Sequence, residues 1–292
     1  MLQTADPGYA TVQVGEVTVV APAEQMPLAI ALGEAADRPM TWPGLGLQPQ
    51  RPIRLMVVAD QEAFDRVSRG RLPSWGAGLA FPASRTVVIR ADAPDPLGAL
   101  RHELAHLALH QAIPGRVPLW FDEGYAVVAA GEWGRLAKLQ LNLAVARGRV
   151  PYLRGLDAAL RQSAGEAEAA YALAGSAVAD LARRHPSSDL GPLLKRLAAG
   201  ESFEAAVVAT TGLTLDRFDE AWHRDVRRRY SLLVWLAAGG GWGLLAVTTI
   251  AIVMIRRRRD LPRRLALDSG WEIPTDQEGD PVGSLDRDAP TG

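Results

Sequence analysis

Residues 97–111 read Leu97-Gly98-Ala99-Leu100-Arg101-His102-Glu103-Leu104-Ala105-His106-Leu107-Ala108-Leu109-His110-Gln111, and the fold turns on them. The apolar positions recur at helical spacing, and Pro114-Gly115 ends the run. Upstream the pattern is of short strands and helices. Thr11 to Val20 alternates and is rich in Val around Gly15, which predicts a strand pair or a bulged strand. Pro22 to Ala36 reads as a helix, Pro39 to Pro52 as a Pro/Gly-rich connection, and Ile53 to Ala59 as a short buried strand. Asp60 caps a helix over Gln61 to Ser68, and Gly70 to Pro73 turns the chain. Gly76 to Phe81 and Arg85 to Arg90 form a hairpin through Pro82-Ala83-Ser84.

Downstream the pattern stays helical. Pro118 opens a helix that runs through Ala130, and later breaks fall near Pro151, Pro186 and Gly212. The expected fold is therefore α+β: a small N-terminal mixed sheet with helices, the helix over 97–111, an all-α C-terminal half, then one transmembrane helix and a disordered tail. The expected division is 1–50 for the N-terminal strand and helix segment with its connection, 51–230 for the main domain, 231–255 for the membrane span, and 256–292 for a basic juxtamembrane segment and tail.

Composition narrows the function classes. Hydrophobic residues make up 48% and charged residues 22%, ordinary values for a chain with a packed core. A net charge of −1 argues against a general polyanion binder, so no nucleic-acid partner is expected. The basic residues are nearly all Arg, with Lys138 and Lys195 the only lysines. No cysteine is present, so a disulfide or a thiolate metal site is impossible, and any metal must be held by His and carboxylate.

His102 and His106 are four apart and share one helix face, close enough to grip one metal ion, with Glu103 beside them. Two imidazoles, a third ligand from elsewhere and a carboxylate base form a zinc-hydrolase constellation. One helix face does not wrap three side chains around one ion. His110, at i+8 from His102, is about 12 Å away along the axis and suits a helix-end or second-layer position. The better third ligand is Glu123, in Pro118-Leu119-Trp120-Phe121-Asp122-Glu123-Gly124-Tyr125-Ala126. Asp122 either orients a ligand His or is a solvated helix residue, and Trp120 and Phe121 are most simply core. His185 and His223 lie in polar helix-end settings without a nameable partner. The strand Gly76–Ala80, or its partner Thr86–Ile89, is either an edge that pairs with a substrate backbone or a hairpin whose turn needs glycine.

HELAH followed by PLWFDEGYA resembles the gluzincin-type zinc metallopeptidases, in particular the bacterial peptidase MA-like family. The likeness covers roughly residues 50–230 and continues through Tyr171-Ala172-Leu173-Ala174-Gly175-Ser176 and Leu193 to Trp222. It implies that His102, His106 and Glu123 ligate Zn2+ and that Glu103 is the general base. It also makes Tyr171 a candidate oxyanion stabiliser, set against a plain core tyrosine. The gap from His106 to Glu123 is slightly shorter than in the related aminopeptidases, and no exopeptidase signature precedes the motif. The expected substrate is thus the interior of a peptide or protein.

Leu232 to Ile255 is a charge-free run of a length that predicts a membrane span, with Tyr230 and Trp235 near its start and Gly239 and Gly243 inside it. The excess of Arg after it, Arg256 to Arg259, favours a cytoplasmic tail and an extracytoplasmic body. Residues 1–30 show no basic segment followed by an apolar one, which sets that topology against a start lying further upstream or a tail anchor with a cytoplasmic body. The sequence therefore predicts a membrane-anchored zinc endopeptidase. The alternative is a degenerate peptidase fold serving as a membrane-tethered binding or scaffold module.

Overall fold

The structure is a computed structural model that describes residues 8–47, 52–68, 76–132, 141–142, 144–145, 148, 150–161, 164–230 and 241–268. By contacts it divides into two units, Met1–Trp235 and Leu236–Gly292.

The first unit begins with the hairpin of β1 (Tyr9–Val14) and β2 (Val17–Pro22), paired antiparallel. Gly15 makes the turn at φ +54°, and a Cβ there would lie 2.1 Å from a carboxylate oxygen of Asp37, which itself accepts from Glu16 N–H at 2.8 Å. Strand β2 alternates so that Val17, Val19 and Ala21 are buried. A 3-10 turn over Ala23–Gln25 leads into α1 (Met26–Asp37), and the short pair β3 (Thr41–Trp42) and β4 (Gly46–Leu47) occupies the Pro/Gly-rich connection.

Then follow β5 (Ile53–Val58), α2 (Gln61–Ser68), β6 (Gly78–Phe81) and β7 (Thr86–Arg90). Asp60 accepts from Ala63 N–H at 2.9 Å and so opens α2, as its position requires. The five-stranded sheet has the order β1-β2-β5-β7-β6. Strands β2, β5 and β7 are mutually parallel, while β6 runs antiparallel to β7 and stands at the edge. Phe64 and Ala63 of α2 cover one face of the sheet, against Val58 and Val88. On the other face Ala29, Leu32 and Ala36 of α1 join the core with Val19, Leu55, Val57, Val87 and Ile89. That core also includes Leu100, Leu104 and Leu107 of α3 (Pro96–Ala112).

The remainder of the unit is helical: α4 (Leu119–Ala130), α5 (Leu153–Ala159), α6 (Ala164–Arg184), α7 (Gly191–Ala198), α8 (Phe203–Thr211) and α9 (Leu215–Arg229). Ser202 and Thr214 cap α8 and α9, accepting from Ala205 N–H at 3.3 Å and Arg217 N–H at 3.4 Å, and Gly212 closes α8 in the left-handed region. Trp120 stacks on Phe218 and meets Phe203 edge-on, which ties α4 into this half.

The second unit corrects the sequence expectation. Its helix α10 spans Gly241–Asp268, opening on the last of three consecutive glycines, which are poor helix formers. Only its fifteen residues Gly241–Ile255 precede the arginines, a length of about 22 Å at 1.5 Å per residue. A hydrocarbon core is about 30 Å thick. Among the described residues no helix is long and apolar enough to cross a membrane, which overturns the expected transmembrane helix over 231–255 and the tether read from it. Residues 231–240 lie outside the described set, as does the tail beyond 268, while 260–268, expected to be disordered, continue the helix.

Candidate metal centre

Helix α3 is set by its first turn: Pro96 stands at the start and Asp95 accepts from Gly98 N–H at 2.8 Å. From there the four-residue spacing puts His102, His106 and His110 on the face that meets α4. Pro118 opens α4 and Asp157 of α5 accepts from Trp120 N–H at 2.8 Å, so the first turn of α4 is held at both its exposed amides and its aromatic side chains.

The two imidazoles converge on one oxygen. His102 Nε2 is 3.3 Å and His106 Nε2 is 3.5 Å from Glu123 Oε2, with the rings 5.0 Å apart between centroids. A tetrahedral ion with bonds of about 2.0–2.1 Å separates neighbouring ligand atoms by about 3.3–3.4 Å. The spacing of this donor set, two imidazole nitrogens and a carboxylate, fits such an ion and leaves a fourth position open.

Behind the Nε2 atoms the Nδ1 atoms are occupied too. Asp122 takes His106 Nδ1 at 2.7 Å with one oxygen and His110 Nε2 at 2.7 Å with the other. His110 thus meets Asp122, one turn beyond His106, and Asp122 holds His106 instead of facing solvent. His106, His110 and Asp122 lie close enough to form a metal group of their own, but both carboxylate oxygens already serve the imidazoles.

The surrounding charges set the protonation states. Burial pulls His102 down, but the Glu123 and Glu132 carboxylates outweigh it and hold the imidazole up at about 9. Burial likewise opposes His106, which Asp122 and Glu123 raise well above its usual value. Glu123 goes the other way: the two imidazoles overcome its burial and hold it down at about 2. Glu103 is buried, and that burial pushes its carboxyl up against the pull of His106, His102 and the Ala80 backbone N–H.

Over these groups lies β6. A cleft of about 220 Å³ is lined by Gly78, Leu79 and Ala80 on one side and by His102, Glu103, His106 and Glu123 on the other. Tyr171 of α6 reaches the same cleft, its ring 6.0 Å from that of His102 and its hydroxyl near the Glu123 carboxylate. Burial and the Glu123, Glu103 and Glu132 carboxylates raise the phenol far above its normal range, so it stays a hydrogen-bond donor.

A family model of the peptidase MA superfamily matches residues 43–228. The chain belongs to the peptidase MA superfamily. No curated protein matches it.

In this peptidase MA chain the packing that assembles the site is specific. Gly124 follows Glu123, and a Cβ there would lie 2.4 Å from the backbone oxygen of Ala174, so glycine lets α4 press against α6 and brings Glu123 to Tyr171. The hydroxyl of Tyr125, one residue on, donates to Pro43 O at 3.1 Å. Trp120 and Phe121 are core, as expected. His223 meets Val150 O at 2.8 Å and stacks on Tyr152, and His185 pairs with Ser187 Oγ at 2.7 Å; neither is near the centre. One polar residue of the site escapes a reading of the sequence. Glu132 Oε1 lies 3.3 Å from His102 Nδ1, although no motif includes it.

Proposed function

We propose that this peptidase MA member is a zinc-dependent endopeptidase of gluzincin type, with His102, His106 and Glu123 as the zinc ligands and Glu103 as the general base. The observation that carries this reading is the convergence of two Nε2 atoms on Glu123 Oε2 beside a buried carboxylate, beneath the edge strand of the sheet. A bound zinc ion would supply the Lewis acidity that makes a water acidic near neutral pH and polarises the scissile carbonyl.

The remaining work falls to the chain's own residues. Glu103 takes a proton from the attacking water as its oxygen bonds to the carbonyl carbon. It returns that proton to the amine nitrogen as the C–N bond breaks. The Tyr171 hydroxyl donates to the carbonyl oxygen as negative charge gathers there.

Strand β6 supplies the substrate's docking edge. Arg90 N–H donates to Ala77 O at 3.0 Å, so Ala77 turns its polar groups toward β7, and by alternation Gly78 and Ala80 turn theirs toward the cleft. The Gly78 amide and carbonyl and the Ala80 carbonyl then face an extended peptide, while the Ala80 N–H also bears on the Glu103 carboxylate.

Glu103→Gln tests the reading. The variant should keep about one zinc per chain while peptide cleavage falls about 10²–10⁴-fold. Equal turnover in the two proteins removes Glu103 as the base. A zinc-loaded wild type that cleaves no peptide leaves a binding module on a peptidase fold.

A further inference from the structure

We infer that Glu132 is a positioning residue for the metal centre: it holds the Nδ1–H of His102 and so presents Nε2 of that ring to the ion. The inference rests on the zinc reading above and concerns how firmly the centre retains its metal.

The placement begins with backbone geometry. Helix α4 ends at Gly131, which adopts φ +76°, a left-handed conformation that glycine enters without strain. Gly131 N–H donates to Val128 O at 3.3 Å and Glu132 N–H to Val127 O at 3.1 Å, the paired closure that reverses a chain at a helix end. Reversal brings the Glu132 side chain back over α3, with Oε1 at 3.3 Å from His102 Nδ1. A carboxylate at a helix C-terminus opposes the helix dipole, so its presence there calls for a compensating contact. The imidazole N–H of His102 supplies that contact.

The chemistry then follows from the imidazole. A ring that offers Nε2 to a metal carries its proton on Nδ1, and an acceptor at Nδ1 selects that tautomer and fixes the ring plane. His106 has such an acceptor in Asp122, at 2.7 Å and largely buried. Glu132 does the same for His102 from the opposite end of the same helix. Its contact is longer and its side chain is 41% exposed, against 17% for Asp122. Of the two imidazoles, His102 therefore has the more exposed support, and Glu132 is the carboxylate that provides it.

The test uses the full chain loaded with zinc, in wild-type, Glu132→Ala and Glu132→Gln forms. Zinc affinity is read by competition with a chromophoric chelator, and the His102 ring nitrogens by 15N NMR. Glu132→Ala should weaken zinc binding about 10–100-fold and shift the His102 Nδ1 signal. Glu132→Gln, whose amide oxygen still accepts from Nδ1–H, should recover most of both. If Glu132→Ala lowers the unfolding temperature of the metal-free chain, the comparison of Glu132→Gln with wild type decides.

Wild-type zinc affinity and an unchanged His102 signal in Glu132→Ala would overturn the inference and leave the peptidase reading intact. Failure of the wild type itself to bind zinc would overturn the reading beneath it.

Discussion

Gly78 and Glu103 are in direct contact: a Cβ on Gly78 would lie 2.7 Å from Cγ and 3.0 Å from Oε1 of Glu103. The edge strand and the candidate base are thus set by one contact. Glu103 is also the more mobile of the two partners, because a side chain rotates more readily than a paired strand shifts.

Gly78→Ala should therefore displace Glu103 without unfolding the sheet. A displacement of about 1 Å at a reacting group costs about a hundredfold in rate. Peptide cleavage should fall by that order while zinc content and the unfolding midpoint stay at wild-type values. An Ala variant with full activity would show that Glu103 does not work from this position.

Gly124→Ala meets a partner that does not yield. Its Cβ would lie 2.4 Å from the Ala174 backbone oxygen, so α4 and α6 must separate. Overpacking of this kind costs about 1–3 kcal/mol, measurable by urea unfolding. The same separation draws Tyr171 from Glu123, and activity should fall further than stability alone explains.

Ser176→Ala probes the helical half. Ser176 Oγ accepts from Trp222 Nε1 at 2.9 Å and donates to Leu173 O at 2.8 Å, and both side chains are buried. Removing the hydroxyl leaves the indole N–H without a partner, at a cost of about 1–3 kcal/mol. Denaturant unfolding of the metal-free protein should show that loss with an unchanged slope.

Metal uptake should release protons. In the metal-free chain His102 keeps its proton up to about pH 9 and His106 is raised as well, whereas zinc needs a free lone pair on each Nε2. Proton and metal compete, so zinc affinity should climb as pH rises from neutrality through about 9, where His102 gives up its proton. Near pH 7 about two protons should leave per zinc, as calorimetry in buffers of different ionisation heats would show. Without metal the sign reverses for stability. The raised His102 value favours the folded state fully below its ordinary 6.5, and this contribution is lost as pH rises through about 9.

Much of the architecture was legible in local spacing. The hairpin about Gly15, the capped helix after Asp60 and the hairpin through Pro82-Ala83-Ser84 all appear where turn chemistry and alternation put them. The helical breaks near Pro151, Pro186 and Gly212 do too. The membrane span failed for a related reason. A charge-free run in a sequence counts residues, but a span needs that many in one apolar helix, and the described helix has only Gly241–Ile255 before its arginines.

Within the centre, the His102, Glu103 and His106 triplet is written in local spacing, because a four-residue repeat on a helix is a property of neighbouring backbone. The PLWFDEGYA segment likewise marks Glu123 as the candidate third ligand. Tertiary structure alone decided which carboxylate serves which ring nitrogen. Asp122 reaches His106 and His110, Glu132 reaches His102, and Tyr171 closes on Glu123. These pairings depend on how α4 crosses α3 and α6. The crossing is set by contacts distant in the chain, among them Gly124 on Ala174 and Trp120 on Phe218, and no window of neighbouring residues encodes it.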